Sequence, residues 1–491
     1  MSDAIVQDLT TRGHRPNILM LFSDEHNASM AGFMGHPIVQ TPNLDRLAAE
    51  GVVFENAYCN SPLCSPSRQS FMAGLHCHAI DMWNNTSAMP ADTVTWAHML
   101  SLAGYETSLF GKMHFNGYQK MYGFDRRPVP EGSNAGESFY SWGLRTSHQW
   151  TDPLPYTSGD MRDELMHAGP DTPERQAVFR KDIEVRQAVI ADLQAKAAEG
   201  FDRPWAICAS FVLPHPPWKA RPDILARYRG KGDLPFNHEG AGRDACDRYI
   251  QQFVGDLMNL PESAIRNARE VYFALINEFD EHAGAILECL EQTGLADDTV
   301  VFYFSDHGEM AGEHGLWGKV TLLESSVRVP LVVRYGRWFP AGRRVRTPVS
   351  LADLFPTFLE IAGIELPPPL FTHGHSLVPL LIGQDDRFQG GDVFCEFEGE
   401  GWNHPRAFVR SGRYKYVYNH TADCRLYDPQ ADPHEMQDLS DDPVLAEVRQ
   451  RLHQRITDEW GDGDEIERRV LLAQARRKIA RCKNVCKELG W

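Results

Sequence analysis

The sequence has no long apolar run and no recognisable export signal. Its longest early apolar stretch, residues 18–22 (ILMLF), is far shorter than the roughly 20 residues that a membrane-spanning helix needs. The first 17 residues lack the basic start and the apolar centre of a signal peptide. We therefore expect a protein that has no membrane span and is located in the cytoplasm.

Basic residues are in the minority. The 491 residues include 49 Lys and Arg against 67 Asp and Glu, so the formal net charge is −18. Binding to nucleic acid or to an anionic membrane requires a basic surface, so this balance argues against both partners. It leaves room for an anionic small molecule, because a few local cations can dominate one pocket.

Cysteines at metal-binding spacing are also missing. The ten cysteines include no Cys-x-x-Cys pair and no zinc-ribbon spacing. The spacing that comes closest to such a pair is that of Cys482 and Cys486, which lie one helical turn apart near the C-terminus. Reduced thiols in a cytoplasmic protein are the simplest interpretation.

The chain instead alternates apolar strands with amphipathic helices, which is the pattern of an α/β fold. Continuous apolar runs at residues 18–22 and 299–304 predict buried strands. Apolar residues at steps of three and four predict a long helix over residues 261–294. The Pro- and Gly-rich segment 367–386 predicts a boundary. We expect a large catalytic domain, 1–380, and a small α+β subdomain with a terminal helix, 381–491.

Acidic residues follow both apolar strands. Asp24 and Glu25 come after the first, and Asp306 and His307 come after the second. Ligands of open parallel sheets bind at the carboxyl ends of the strands, so these side chains are predicted to meet in an oxygen-rich metal site. The alternative is that each aspartate simply caps the helix after it.

The stretch SPLCSPSRQSFMAG, residues 61–74, places Cys64 two residues before Pro66 and four before Arg68. If residues 66–74 open a helix, the cysteine lies near its positive N-terminus, which favours an anion. From these residues alone, Cys64 is a packed cysteine, a thiolate nucleophile or the precursor of a modified residue.

Several segments contain candidate proton donors. Lys112 and His114 are two apart in FGKMHF, on one side if that segment is extended, and His215 lies between prolines in VLPHPPW. GEHGLWGK adds His314 and Lys319. Taken singly, each lysine is better explained as a solvent-facing side chain, and each histidine as a satisfied core or surface residue.

Together and in this order, these segments resemble the type I formylglycine-dependent sulfatases of the alkaline phosphatase superfamily. CSPSRQSFMAG is similar to the family's Cys-x-Pro-Ser-Arg signature. The Asp306–His307 pair and GKMHF point to the branch of choline sulfatases and phosphonate monoester hydrolases. The resemblance implies an alkaline-phosphatase-like α/β fold: a large mixed, mainly parallel sheet between helices, with a small C-terminal α+β subdomain.

The resemblance also implies an activity, that of a sulfuric ester hydrolase of the arylsulfatase type acting on a small-molecule sulfate ester. A formylglycine-generating enzyme would oxidise Cys64 to Cα-formylglycine, whose hydrate is a geminal diol. One hydroxyl attacks sulfur to form a covalent sulfo-enzyme ester, and the other then expels sulfate. One divalent metal, Ca²⁺ or Mn²⁺, lowers the pKa of the diol. Its implied ligands are Asp24, Glu25, Cys64, Asp306 and His307.

The remaining site residues receive roles from the same resemblance. Arg68 and Lys112 stabilise the ionised diol, and His114 takes the proton of the second hydroxyl. His215 and Lys319 bind the sulfate, and one of them protonates the leaving oxygen. Asn85 would contact the substrate, with Asn84 as the adjacent competitor. Trp83 is a candidate wall for a quaternary ammonium group.

Three alternatives differ in substrate or class. The same site could hydrolyse phosphonate monoesters or phosphodiesters, which match a sulfate monoester in charge and shape. A two-metal phosphatase or phosphomutase would need a Ser or Thr nucleophile and more Asp and His ligands. A non-enzymatic scaffold is disfavoured by the presence of Cys64, Arg68 and the metal acids. We expect a homo-oligomer, since relatives in the resembling branch often assemble and the charged C-terminal helix is suited to pack between subunits. The simpler alternative is that this helix lies on its own chain.

Overall fold

A computed structural model describes residues 15–131, 159–171, 176–200, 202–239, 246–247, 260–398 and 404–480. Within them the strands are β1 (Asn17–Asp24), β2 (Val52–Phe54), β3 (Ala57–Tyr58), β4 (Glu106–Gly111), β5 (Arg126–Val129), β6 (Gly169–Pro170), β7 (Trp205–Pro214), β8 (Lys219–Ala220), β9 (Thr299–Ser305), β10 (Arg328–Val329), β11 (Leu331–Arg334), β12 (Arg343–Val345), β13 (Val349–Ser350), β14 (Asp392–Phe397), β15 (Arg406–Ser411), β16 (Tyr414–Asn419) and β17 (Arg425–Tyr427).

The helices of the same residues are α1 (Pro42–Glu50), α2 (Cys64–Ala73), α3 (Trp96–Leu102), α4 (Gly159–Met166), α5 (Gln176–Glu199), α6 (Pro222–Leu225), α7 (Glu262–Gln292), α8 (Glu324–Val327), α9 (Leu354–Ile361), α10 (Val378–Leu381), α11 (Ala446–Trp460) and α12 (Gly463–Ala480). None of the described helices is long and apolar enough to cross a bilayer.

The large sheet has eight strands in the order β12-β2-β11-β9-β1-β7-β4-β5. Five neighbours, β9, β1, β7, β4 and β5, pair in parallel. Strand β11 is antiparallel to both of its neighbours. The predicted α/β class with a mixed, mainly parallel sheet is therefore confirmed.

Helix α7 explains why the centre of the sheet is covered. It spans Glu262–Gln292, close to the predicted 261–294, and Gly294 follows it with a positive φ of 73°. Its predicted apolar stripe, which includes Val271, Leu275 and Phe279, is fully buried. Strands β1 and β9 are buried along their whole length, as continuous apolar runs covered on both faces should be.

Four adjacent strands end at the same edge of the sheet, and each is followed by a polar residue. Asp306 follows β9, Asp24 ends β1, His215 follows β7 and Lys112 follows β4. Because these strands are parallel neighbours, residues far apart in sequence are brought to one place. This edge positions the candidate site.

The second sheet, β14-β15-β16-β17, is antiparallel and packs on both faces. Val393 and Cys395 of β14 join the core of the large sheet, whereas Phe394 between them joins a second core with Leu452 of α11. Adjacent residues of a strand point to opposite faces, so one sheet serves both cores. The domain boundary at residue 380 remains a prediction, and Cys482 and Cys486 lie outside the described residues.

Candidate active site

Cys64 is the first residue of α2, so it occupies the helix N-terminus. Leu63 before it is extended, and Gly74 ends the helix in the left-handed region with φ 66°. Pro66 lies in the first turn, where its missing N–H costs no hydrogen bond. The predicted helix is confirmed and begins two residues earlier than expected.

Four side chains approach the Cys64 sulfur from the sheet edge. His307 Nε2 lies 3.1 Å from Sγ, and Lys319 Nζ lies 3.3 Å away. Lys112 Nζ and Asp24 Oδ1 are each at 3.7 Å. Cys64 begins α2, Asp24 and Lys112 lie at the ends of two parallel strands, and His307 and Lys319 follow a third, so only the fold brings them together.

Arg68 connects the two aspartates beneath Cys64. Its Nε donates to Asp306 Oδ2 at 2.7 Å, and Nη2 donates to Asp24 Oδ2 at 3.1 Å. Nη1 donates to the carbonyl of Lys112 at 2.8 Å, and the guanidinium lies 4.3 Å from the centre of the Phe22 ring. All three charged side chains are fully buried. Arg68 therefore fixes the outer oxygen of each carboxylate.

The inner oxygens of these carboxylates face His307. Its Nε2 lies 3.8 Å from Asp24 Oδ1 and 3.7 Å from Asp306 Oδ1, and its Nδ1 donates to the Gly308 carbonyl at 2.9 Å. Neighbouring ligands of an ion bound at about 2.3 to 2.6 Å are roughly 3.3 to 3.7 Å apart when they meet at right angles. The ligand atoms of these three residues and Cys64 all lie within 4.8 Å of one another. This set fits a hard or borderline divalent cation.

Lys112 and His114 lie beyond the end of β4, so the prediction that they share one side of an extended strand is wrong. Strand β4 ends at Gly111, and His114 has a positive φ of 57°. Lys112 Nζ nevertheless donates to Asp24 Oδ2. His114 is among the residues that lower the pKa of the Cys64 thiol.

Glu25 contacts Lys319 and His215 on the open side of the site. Its Oε2 lies 2.8 Å from Lys319 Nζ and 3.2 Å from His215 Nε2. Its backbone adopts a positive φ of 64°, and its N–H donates to Asp306 Oδ1 at 3.1 Å. The carboxylate belongs to a second ligand group, with Asp24 and His215, rather than to the group around Cys64. Its role as a metal ligand remains a prediction.

The asparagine and tryptophan candidates separate in the structure. Asn85 Oδ1 accepts a hydrogen bond of 3.0 Å from the backbone N–H of Ser65, which places Asn85 next to Cys64. Asn84 Oδ1 instead accepts from Thr86 in a local turn. Trp83 is fully buried in the core beneath the small sheet, with Arg469 5.0 Å from its ring centre. The expectation that Trp83 lines a substrate cage is therefore wrong.

The cations make the site favourable for negative charge. Burial raises the pKa of Cys64, but Lys112, Lys319 and His307 outweigh it and bring the pKa well below 9.0. Burial likewise raises the pKa of Asp24, yet Lys112 and its other cationic neighbours lower it to about 2. Burial lowers the pKa of His307, but Asp306 raises it to about 10. An anion at position 64 is stabilised from several directions.

Several supporting residues carry no signal that sequence reasoning could use. Ser210, in the middle of the apolar strand β7, accepts from Arg68 Nη1 at 2.9 Å. Glu131 accepts from the backbone N–H of Met113 at 2.7 Å and so fixes the segment around His114. Glu309 is different, because it lies only two residues after His307. Its Oε1 accepts from the backbone of Gly318 at 2.6 Å, next to Lys319.

Comparisons with known proteins identify the family of the chain. A family model described as Sulfatase matches residues 16–364, and one described as N-sulphoglucosamine sulphohydrolase, C-terminal, matches residues 312–461. A choline-sulfatase of Rhizobium meliloti (strain 1021) is 33% identical over 87% of this chain and 83% of its own length. Arylsulfatase K of Mus musculus is 28% identical over 90% of this chain and 78% of its own length.

Two solved structures have the same fold. The phosphonate monoester hydrolase of Agrobacterium radiobacter superposes with a TM-score of 0.71 at 23% identity, covering 90% of this chain and 95% of its own. A protein in complex with its substrate D-glucosamine-2-N,6-O-disulfate also has a TM-score of 0.71, at 22% identity, covering 92% of this chain and 99% of its own.

Proposed function

The chain belongs to the sulfatase family and is a sulfuric ester hydrolase, and from this premise we propose that it cleaves sulfate monoesters with a formylglycine formed from Cys64. A formylglycine-generating enzyme would supply that residue, and one divalent metal, Ca²⁺ or Mn²⁺, would act with it. The observation that carries the proposal is the convergence of His307, Lys319, Lys112 and Asp24 within 3.7 Å of one buried sulfur.

The metal would be held by Asp24, Asp306 and His307 together with residue 64, and Glu25 is the further candidate ligand. In this position a divalent cation supplies a positive charge that lowers the pKa of the nucleophile and polarises a sulfate oxygen. The chain prepares the site by bonding the outer oxygen of each aspartate to Arg68, which leaves the inner oxygens pointing at the same space. Such outer contacts orient metal ligands and tune their basicity.

The hydrated formylglycine supplies an oxygen nucleophile and a second hydroxyl through which sulfate is released. Lys112 is placed to stabilise the developing negative charge, since its ammonium lies between Asp24 and position 64. His114 is placed to take the proton of the second hydroxyl. Its buried Nδ1 has no hydrogen-bond partner among the described residues, which is consistent with a ring that acts as a base.

Lys319 and His215 would bind the sulfate and its leaving oxygen. Their side chains are 15% and 30% exposed, whereas those of Arg68 and Asp24 are fully buried, so substrate enters from their side. Both contact the same oxygen of Glu25, and Lys319 Nζ also lies 3.3 Å from Cys64 Sγ. We propose that one of them protonates the leaving oxygen and that Asn85, beside Ser65, contacts the substrate.

Release of sulfate from aryl sulfate and choline sulfate tests the proposal. Wild-type protein co-expressed with a formylglycine-generating enzyme is expected to release sulfate, and Cys64→Ala is expected to be inactive. Cys424→Ser, which changes a cysteine of the small-sheet region, serves as the matched control and should keep wild-type activity. Full activity in Cys64→Ala would refute a nucleophile derived from this residue.

We propose phosphonate monoester hydrolysis as a second activity of the same site. A phosphonate monoester matches a sulfate monoester in its single negative charge and tetrahedral shape, and a phosphonate monoester hydrolase is among the proteins of the same fold. Comparing kcat/KM for an aryl sulfate and an aryl phosphonate monoester discriminates the two. The kcat/KM for the aryl sulfate should be the higher one if our main proposal is correct. A higher kcat/KM for the phosphonate would make phosphonate hydrolysis the main activity.

A further inference from the structure

Two His-x-His motifs lie outside the sulfatase site. One is His76-Cys77-His78, just after α2, and the other is His373-Gly374-His375, in the loop before α10. The structure brings the first histidine of each motif together with Glu459, near the end of α11. His76 and Glu459 are 383 positions apart in sequence, and the three residues form a group separate from the one around Cys64.

The three side chains present one ligand atom each to a common space. His76 Nδ1 lies 2.7 Å from Glu459 Oε1, and His373 Nε2 lies 3.4 Å from the same oxygen. The two rings stack with centres 4.3 Å apart and planes inclined by 18°. Two imidazole nitrogens and one carboxylate oxygen form the ligand set of many three-residue zinc sites, in which water takes the fourth position.

The backbone around the histidines is fixed rather than loose. The N–H and hydroxyl groups of His373 and Thr372 both donate to the Gly74 carbonyl, at 2.9 and 2.7 Å. Gly74 allows this approach, because a Cβ there would lie 2.8 Å from Thr372 Oγ1 and 2.7 Å from Phe355. These contacts anchor the loop that carries His373 against the end of α2, so the two motifs are held next to each other.

The protonation states suit a cation. Burial and the neighbouring His76 lower the pKa of His373 to about 4, so its ring is neutral near pH 7. The hydrogen bond from His76 lowers the pKa of Glu459 to about 2, so its carboxylate is ionised. The side chains are between 11% and 23% exposed, which leaves access for an ion and a water ligand.

We propose that His76, His373 and Glu459 form a second metal site, selective for Zn²⁺ or a similar borderline divalent cation. The ion would replace the protons that now join both rings to Glu459. His373 would then carry its proton on Nδ1, so its contact of 3.2 Å with the His76 N–H would be given up. Bound metal would attach α11 to the C-terminal end of α2, roughly 15 Å along a ten-residue helix from Cys64.

Zinc titration of the full chain tests the proposal. Wild type, His373→Gln and Glu459→Gln are compared by calorimetry and by metal analysis after dialysis, with His375→Gln as the matched control from the same motif. The Cys64 site is unchanged in all four proteins, so any zinc bound there adds the same amount to each measurement. Wild type and His375→Gln should bind one more Zn²⁺ per chain than the other two, whose affinity should fall more than about 100-fold.

A measurement on wild type alone covers the case in which a variant fails to fold. Diethylpyrocarbonate modification, mapped by peptide mass, should label His373 without zinc and spare it with zinc. Equal zinc binding by wild type, His373→Gln and Glu459→Gln would overturn the proposal, and so would labelling of His373 that zinc does not change. Either result would leave the cluster as a hydrogen-bonded contact between α11 and the loops.

Discussion

Replacing Arg68 by lysine is expected to lower the free energy of unfolding by about 3 to 5 kcal/mol. The guanidinium is fully buried and binds Asp306 and Asp24 at once, through Nε at 2.7 Å and Nη2 at 3.1 Å. A lysine ammonium keeps at most one of these charge-assisted bonds, each worth about 1.5 to 3 kcal/mol. It also loses the bonds to the Lys112 carbonyl and to Ser210, worth about 0.5 to 1.5 kcal/mol each. Losses of this size are typical of broken buried pairs.

Urea unfolding followed by tryptophan fluorescence and by far-UV circular dichroism measures this change, with coincident midpoints as the test of two-state behaviour. Arg346→Lys is the matched control, because that side chain is 86% exposed and its pair with Glu55 should contribute less than about 1 kcal/mol. The loss in Arg68→Lys should grow after chelation, since a bound divalent cation also compensates the two carboxylates. A loss below about 1 kcal/mol, with or without chelator, would show that Arg68 does not stabilise the fold through the two aspartates.

Three further predictions follow from the site and the core. Lys319→Met should lower kcat/KM for an aryl sulfate about 10²- to 10³-fold. The control Lys181→Met, at a partly exposed lysine on α5, should not lower it. A loss below tenfold in Lys319→Met would contradict the role of Lys319. Chelation should abolish sulfate release and Mn²⁺ or Ca²⁺ should restore it, except in Asp306→Asn; activity that survives chelation would contradict a metal-dependent site. Burial lowers the pKa of His282 from 6.5 to about 3, so the unfolded chain binds the extra proton and stability falls as the pH drops below 6.5. Relative to His282→Leu, wild type should lose about 1.4 kcal/mol of unfolding free energy between pH 7.5 and 5.5, and parallel pH profiles would contradict the assignment.

The sheet edge was predictable because it depends on local patterns and one topological rule. Continuous apolar runs identified β1 and β9, and the acids after them, Asp24 and Asp306, meet because parallel neighbours end together. Pro66 and Gly74 similarly indicated the helix that begins at Cys64. The roles of Lys319 and His215 were predicted from the resemblance to sulfatases. A lone lysine or histidine has no local sequence pattern that indicates a site.

The supporting contacts could not be predicted, because they depend on tertiary packing. Ser210 is one polar residue within an apolar strand, and only the arrival of Arg68 gives it a role. Trp83 is two residues from Asn85 in sequence, yet it packs under the small sheet while Asn85 contacts Ser65. The positive φ of His114 ends the regular alternation of side chains between two faces that an extended strand would have.

The mass of the peptide that carries residue 64, measured on protein with known sulfate-releasing activity, shows whether the nucleophile is a formylglycine. Our account predicts that the cysteine is replaced by formylglycine or its hydrate, and that activity rises in proportion to the converted fraction. Full activity in protein whose residue 64 is entirely unmodified cysteine would contradict the account and return the thiolate as the nucleophile.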